Sequence, residues 1–344
     1  MNDPQLQAAY TSATGQPAGR VERLPGGAGN RIYWRVHPLD GKGRSAVVME
    51  LPADPVKSEE ASKDHAPEEL PFLNVRRYLD RIGVRVPRLL LDASASGYLV
   101  IEDLTDRTLE QALEEGANRR KVYSKAIDRL ARLRAHAERD PDRTCVAWSR
   151  AFDYDLYHWE FEHFIEYGLL ARGATPSEAE LQTLRRHFER ISRELADAPR
   201  GFTHRDYQSR NIMVLANGDQ VVIDFQDALQ GPRQYDLVAL LRDSYVELDR
   251  PLIDAMLTRY LKAFEAEGGP RLEASDFVGF FDLLTVQRKL KDAGRFVFID
   301  RVKKNPSFLA HIPSSLHYVR DALKRRPELR EVEEILRKHV PELA

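Results

Sequence analysis

The sequence predicts an α+β protein in two parts, β-rich over residues 1–103 and α-rich over residues 104–344. Three observations predict it. Short alternating or apolar runs bounded by turn residues recur between Val21 and Val100. Apolar residues at helical spacing dominate after Asp103. The length of 344 residues exceeds what one typical compact domain holds.

The elements follow in order. Gln5–Arg20 is rich in Ala, Gly, Thr and Gln and is expected to be a loose arm. Arg31 to Val36 alternates with period two, as a half-buried strand does, and Ala46 to Met49 is a short apolar run. Asp40-Gly-Lys-Gly43 between them is a turn signal. Residues 54–69 are charged and read as an exposed loop. Phe72, Val75 and Leu79 share one helical face, with Pro71 placed to start the helix. Val84–Leu91 and Tyr98–Ile101 read as two more strands. Residues 108–136 read as one long helix and Phe152–Leu170 as an aromatic helix. A further helix spans Pro176–Leu195, with Thr175 as its N-cap. Two short strands, Asn211–Leu215 and Gln220–Asp224, precede helices that run to the end.

Composition excludes several classes. Hydrophobic residues make up 42% and charged residues 31%, with a net charge of −2. That balance argues against a protein built to coat nucleic acid. The single cysteine, Cys145, permits no internal disulfide and fits a reducing compartment. No apolar run reaches the roughly 18 residues that span a bilayer, and the N-terminus shows no signal peptide. A cytoplasmic protein without a membrane partner is the expectation.

The chemistry concentrates in Thr203-His-Arg-Asp-Tyr-Gln-Ser-Arg-Asn-Ile-Met-Val214. A carboxylate at Asp206 can accept the hydrogen bond of an attacking hydroxyl. A carboxamide oxygen at Asn211 on the same loop can reach Mg²⁺, a hard cation that prefers oxygen ligands. Asp224 ends the apolar run Val221-Val-Ile-Asp224, where a carboxylate is poorly placed for packing and well placed for a metal. Together they read as phosphoryl-transfer chemistry. Leu24-Pro-Gly-Gly-Ala-Gly-Asn-Arg31 is glycine-rich, and its backbone amides suit phosphate oxygens or simply a hairpin turn. This makes Gly26, Gly27, Gly29, Asn30 and Arg31 candidate nucleotide contacts. Tyr98-Leu-Val-Ile-Glu-Asp-Leu104 lies where β texture gives way to α. It is either a linker whose backbone pairs with adenine, which nominates Glu102 and Leu104, or a strand reaching solvent. Phe152–Phe164 mixes rings with acids, as sugar sites do, but reads foremost as a core-facing helix. Its His158 and His163 lack the H-E-x-x-H spacing, so zinc is not expected.

The stretch from Thr203 to Asp243 resembles the aminoglycoside-phosphotransferase branch of the protein-kinase-like fold, whose catalytic loop carries the H-R-D-x-x-x-x-N spacing. Within that branch the chain is most similar to bacterial anomeric kinases of N-acetylmuramate and N-acetylglucosamine, which serve peptidoglycan recycling. His204-Arg-Asp-Tyr-Gln-Ser-Arg-Asn211, Ile223-Asp-Phe-Gln-Asp-Ala228, Tyr235-Asp-Leu-Val-Ala-Leu-Leu-Arg-Asp243 and Gln287-Arg-Lys-Leu-Lys-Asp-Ala-Gly294 carry the similarity. Tyr33–Val36, Pro71-Phe72 and Glu102–Leu104 match more loosely, and Ile312-Pro313 also fits.

The resemblance implies a two-lobed kinase with a nucleotide-binding N-lobe (1–103) and a catalytic C-lobe (104–344). It implies ATP with Mg²⁺, Asp206 as catalytic base, Asn211 and Asp224 as metal ligands, and an N-acetylated amino sugar as acceptor. Aminoglycoside, choline or homoserine kinases of the same fold are alternatives, as is a nucleotide-binding pseudokinase. Two departures stand out. Met49 or Glu50 stands where the phosphate-binding lysine is expected, leaving Arg31, Arg35 and Lys57 as candidate substitutes. Gln226 replaces the glycine of Asp-Phe-Gly, which implies a stiffer metal loop. Asp236 is expected to brace the catalytic loop, and Arg242 and Asp243 to form a local pair or help hold the substrate cleft.

Overall fold

The structure is a computed structural model that describes residues 1–25, 31–52 and 69–344. The glycine-rich stretch 26–30 and most of the charged loop, including Lys57, lie outside the described residues. Contacts divide the chain into two units. The first comprises residues 1–70, 85–107 and 213–223, and the second 71–84, 108–212 and 224–344. The division is less simple than a single cut after residue 103.

The first unit opens with a helix where a loose arm was expected, α1 (Asp3–Thr14). Asn2 and Gln5 form a reciprocal capping box, and Gly15 closes the helix with φ 71°. Leu6, Ala9 and Tyr10, spaced three and four apart from Leu6, are buried on one face of the helix. They pack on Val36, Ala46, Val48 and Val100 of the sheet. The Tyr10 hydroxyl donates to Arg44 O at 2.9 Å.

The sheet contains β1 (Ala18–Arg23), β2 (Ile32–Pro38), β3 (Ala46–Glu50), β4 (Leu89–Ala93) and β5 (Tyr98–Glu102). Its order is β1-β2-β3-β5-β4, antiparallel throughout. The turn between β2 and β3 forms as expected: Asp40 Oδ1 accepts the Lys42 N–H at 3.0 Å, and Gly41 takes φ 68°. Residues 84–88 do not join β4, a correction explained by Pro87, which has no N–H for a ladder. Met49 is fully buried, and Glu50 accepts the Trp34 indole N–H at 2.7 Å. A deeper tie crosses this unit. Arg35 donates to Asp103 at 2.7 and 3.1 Å and to Asp106 at 2.9 and 2.8 Å, and Ser45 donates to Asp103 at 2.5 Å.

In the second unit α2 (Pro71–Arg81) buries Phe72, Val75 and Leu79. The expected single helix over 108–136 is two, α3 (Leu109–Glu114) and α4 (Arg119–Arg139). Gly116 at φ 89° breaks it, and Asn118 caps the restart. The aromatic helix is α5 (Tyr154–His163), continued by a π-helical stretch Phe164–Leu169. Tyr157, Phe161, Phe164 and Ile165 are buried, so this face is core. α6 (Glu178–Asp197) is capped by Ser177 rather than Thr175: the Ser177 side chain accepts the Glu180 N–H and the Glu180 side chain accepts the Ser177 N–H, a reciprocal capping box.

The remaining elements are β6 (Arg200–Thr203), β7 (Ile212–Val214), β8 (Gln220–Val222), β9 (Leu229–Pro232), α7 (Tyr235–Leu241), α8 (Arg250–Ala266), α9 (Ala274–Lys303), α10 (Ile312–Leu323) and α11 (Arg330–His339). Among the described residues no helix is long and apolar enough to cross a membrane.

The Arg35–Asp103 pair carries a stability prediction. The Arg35 and Asp103 side chains are 8% and 4% exposed. Burial raises the Asp103 pKa, but Arg35, Ser45 and the Thr105 N–H lower it further, so it ends below its usual value. Removing the guanidinium strands a buried carboxylate. Arg35→Met should cost about 3–5 kcal/mol in urea unfolding at neutral pH. A depressed carboxylate pKa stabilises above the unfolded value of about 3.9 and loses that contribution as pH falls through the folded value. The difference between wild type and variant should therefore shrink below about pH 4. A pH-independent difference would show that the ion pair is not its source.

Candidate active site

The site is built on two short strand pairs. β6 runs antiparallel to β9, with Thr203 opposite Leu229. Residues 204–206 therefore leave this ribbon at the end where residues 224–228 enter it. β7 and β8 form the second pair, and the short connection 215–219 can join only antiparallel strands. Asn211 precedes β7 and Asp224 follows β8, so both stand at the open end of that hairpin. Asp206, Asn211 and Asp224 all belong to the second unit, and the Asn211 side chain reaches the Asp206 carbonyl.

The loop carrying Asp206 is held in a conformation it would not choose. Arg205 has φ 80°, a left-handed backbone that costs a non-glycine residue about 1–3 kcal/mol. Asp236, buried in the first turn of α7, opposes that cost. Its Oδ2 accepts the His204 N–H at 2.8 Å and its Oδ1 the Arg205 N–H at 2.9 Å. Hydrogen bonds to a charged acceptor contribute about 1.5–3 kcal/mol each, so the pair outweighs the strain. Burial still pushes the Asp236 carboxyl above its usual pKa, against the pull of His204 and Arg288.

A second carboxylate braces the far side of the loop. Asp243 accepts the Ser209 N–H at 2.8 Å and the Tyr245 N–H at 3.0 Å. Of the two readings of Arg242 and Asp243, a local pair or a part in the substrate cleft, the local pair does not form. Arg242 turns to Asp321 at 2.8 Å and lies over the Tyr318 ring. Two further ties fix the loop's sides. The Tyr207 hydroxyl donates to Ala126 O at 2.9 Å, and Arg210 grips Glu110 through two bonds of 2.6 and 3.0 Å.

On this frame the Asp206 side chain is 38% exposed, and Arg288 Nη2 lies 3.4 Å from its Oδ1. Burial raises the Asp206 pKa, but Arg288, Arg205 and Lys291 lower it by more. The carboxylate is thus ionised across the neutral range. The Asn211 amide donates to Asp206 O at 2.9 Å, which fixes its orientation and leaves the carboxamide oxygen for a cation.

Asp224 is exposed and also left-handed, with φ 64°. Gln226 donates to Asp224 Oδ1 at 2.8 Å and to Asp227 Oδ2 at 3.2 Å, so it spans both carboxylates. Between them Phe225 is fully buried and stacks on Phe72 of α2 at 5.1 Å. A glycine at 226 could make none of these side-chain bonds. The Asn211 amide oxygen and the Asp224 carboxylate are oxygen donors of the kind Mg²⁺ prefers.

Other sequence candidates fall elsewhere. Gly26, Gly27, Gly29 and Asn30 lie outside the described residues. Arg31, half-buried, precedes β2 in the first unit. The Glu102 carboxylate receives Arg85 at 2.7 and 2.6 Å and the Arg88 N–H at 3.1 Å, while its own N–H donates to Arg88 O at 2.8 Å. Leu104 is buried with Met213 and Val221. Arg35 is spent on Asp103 and Asp106 and does not substitute for the absent lysine. Sequence reasoning assigned no role to Arg288 and did not see Asp243 as a brace. The signals for Arg288 were the charge-rich run from Gln287 to Asp292 and its place in the Gln287–Gly294 stretch that carries the family resemblance.

Comparison with known proteins completes the picture. Residues 20–274 match the model of the phosphotransferase enzyme family. An N-acetylmuramate/N-acetylglucosamine kinase of Pseudomonas aeruginosa is 34% identical over 89% of this chain and 84% of its own length. A kinase of the same name from Pseudomonas putida is 29% identical over 97% of this chain and 93% of its own. Among solved structures, a GDP complex of an aminoglycoside phosphotransferase superposes with a TM-score of 0.61 at 13% identity, covering 94% of this chain and 98% of that one. With the family model matched over most of its length, the chain belongs to the phosphotransferase enzyme family and carries the protein-kinase-like α+β fold.

Proposed function

We propose that this phosphotransferase moves the γ-phosphoryl group of ATP onto the anomeric hydroxyl of N-acetylmuramate or N-acetylglucosamine, giving the sugar 1-phosphate. The observation that carries the acceptor is the name borne by relatives that align over most of the chain. The chemistry rests on Asp206, a partly exposed carboxylate kept ionised by its cationic neighbours.

In this reading Asp206 accepts the hydrogen bond of the acceptor hydroxyl, aligns its oxygen for in-line attack and takes its proton as the bond to phosphorus forms. Asn211 and Asp224 would hold Mg²⁺, which neutralises charge on the phosphate oxygens when bound. The protein's own contribution is positioning. Asp236 and Asp243 fix the loop backbone, and Gln226 fixes the Asp224 carboxylate. The nucleotide is assigned to the glycine-rich residues Gly26, Gly27, Gly29 and Asn30, with Arg31, Glu102 and Leu104. With its carboxylate and N–H both engaged, Glu102 could contribute only its carbonyl. The buried apolar cluster around Leu104 suits the face of a base.

ADP release with Mg²⁺-ATP should be stimulated by N-acetylmuramate or N-acetylglucosamine and not by galactose, kanamycin or choline. Asp206→Asn should lower that turnover by about 10²–10⁴-fold. Asn211→Ala and Asp224→Ala should lose Mg²⁺-dependent turnover while keeping the wild-type melting behaviour. Stimulation by kanamycin or choline alone would move the acceptor assignment to another branch of the family. Nucleotide binding without turnover of any acceptor would instead favour a pseudokinase. Asp236→Ala should lower kcat by about 10²-fold through a displaced loop, with little change in nucleotide affinity. Unchanged kcat in that variant would remove the brace from the account.

A further inference from the structure

Arg288 stands out among the buried charges of the second unit. It is 3% exposed, on the long helix α9. An arginine buried for stability alone is expected in a bidentate pair with a carboxylate, because its desolvation is costly otherwise. Arg288 has no such pair among the described residues. Its polar contact is a single bond of 3.4 Å from Nη2 to Asp206 Oδ1, and Nε and Nη1 find no hydrogen-bond partner. Its other support is aromatic: the guanidinium carbon lies 4.6 Å from the centre of the Tyr235 ring, at the start of α7.

The helix turn that carries Arg288 is fixed in register from both sides. Gln287 donates to the buried Glu160 of α5 at 2.6 Å. Lys289 donates to Ser244 at 2.7 Å and to Asp292 at 2.6 Å. Neighbours on either side in sequence are thus anchored to different parts of the unit, and Arg288 between them is aimed at Asp206. α7 adds the matching half. Its Tyr235 supports the guanidinium, and the next residue, Asp236, holds the backbone of the Asp206 loop. One helix turn therefore sets both the carboxylate's backbone and the cation that meets its side chain.

We infer that Arg288 is a positioning residue for the reaction, holding one oxygen of Asp206 so that the other is presented to the acceptor hydroxyl. This rests on the assignment of Asp206 as the base. The arrangement accounts for a buried guanidinium that spends its one polar contact on a partly exposed carboxylate. It also gives the Gln287–Asp292 run a purpose beyond packing.

A double-mutant cycle separates this role from a merely structural one. With saturating Mg²⁺-ATP and N-acetylmuramate, Arg288→Gln should lower kcat by about 10²-fold while each KM stays within about three-fold. In the Asp206→Asn background the same change should cost less than about three-fold, because the carboxylate it positions is gone. Arg288→Lys, which keeps the charge but not the planar fork, should recover part of the loss. Equal losses in both backgrounds, or a wild-type kcat in a folded Arg288 variant, would overturn the inference. If Asp206→Asn itself retains wild-type turnover, the base assignment fails instead. The same cycle read by urea unfolding needs no acceptor. The pair should be non-additive by about five-fold or more in the unfolding equilibrium constant, and additivity would overturn the contact.

Discussion

The proposed catalytic region depends on a backbone that Asp236 holds in place. Two adjacent amides, those of His204 and Arg205, point at one buried carboxylate, and Arg205 takes a left-handed turn to let them do so. That turn decides where Asp206 emerges. A loop free to relax would return Arg205 to the right-handed or extended region and carry Asp206 with it. The strain is local, and the restraint comes from a separate helix. This is the usual way a folded protein keeps an unfavourable backbone where its chemistry needs one.

The same logic recurs at Asp224. It too is left-handed, and it too is secured from its neighbours, by Gln226 on its side chain and by the buried Phe225 stacked on Phe72. Where a protein kinase has glycine after Asp-Phe, this chain has a side chain that binds two carboxylates at once. Freedom at that position has been exchanged for orientation. Asp243, Tyr207 and Arg210 close off the remaining movements of the loop. These bonds, with those of Asp236 to His204 and Arg205, restrain the loop backbone on either side of Asp206.

What the sequence made legible was chemistry close together in the chain. Asp206, Asn211 and Asp224 lie within one short stretch, and a hairpin between them can be recognised from its apolar runs. Asp236 was readable as a brace through the resemblance to kinase-like folds, in which the aspartate at this place braces the catalytic loop. Contacts made across long separations were not readable. Arg288 reaches Asp206 from 82 residues downstream, and a run of charges gives no sign of which one turns inward. α1 was missed because its buried face has only Leu6, Ala9 and Tyr10 among polar residues. The break between α3 and α4 followed from Gly116 and Asn118, which a periodicity count passes over. The π-helical stretch after α5 begins where α9 packs closely, since a Cβ at Gly294 would lie 3.0 Å from the Phe164 backbone. No local pattern encodes that approach.

The central claim is that Asp206 delivers an anomeric hydroxyl to the γ-phosphate. Proton-coupled ³¹P NMR of the product made from Mg²⁺-ATP and N-acetylmuramate tests it most directly. The account predicts one new phosphate resonance coupled to the anomeric proton, present with wild type and absent over the same time with Asp206→Asn. A phosphate coupled to a proton elsewhere on the ring, or an unchanged yield from Asp206→Asn, would contradict it.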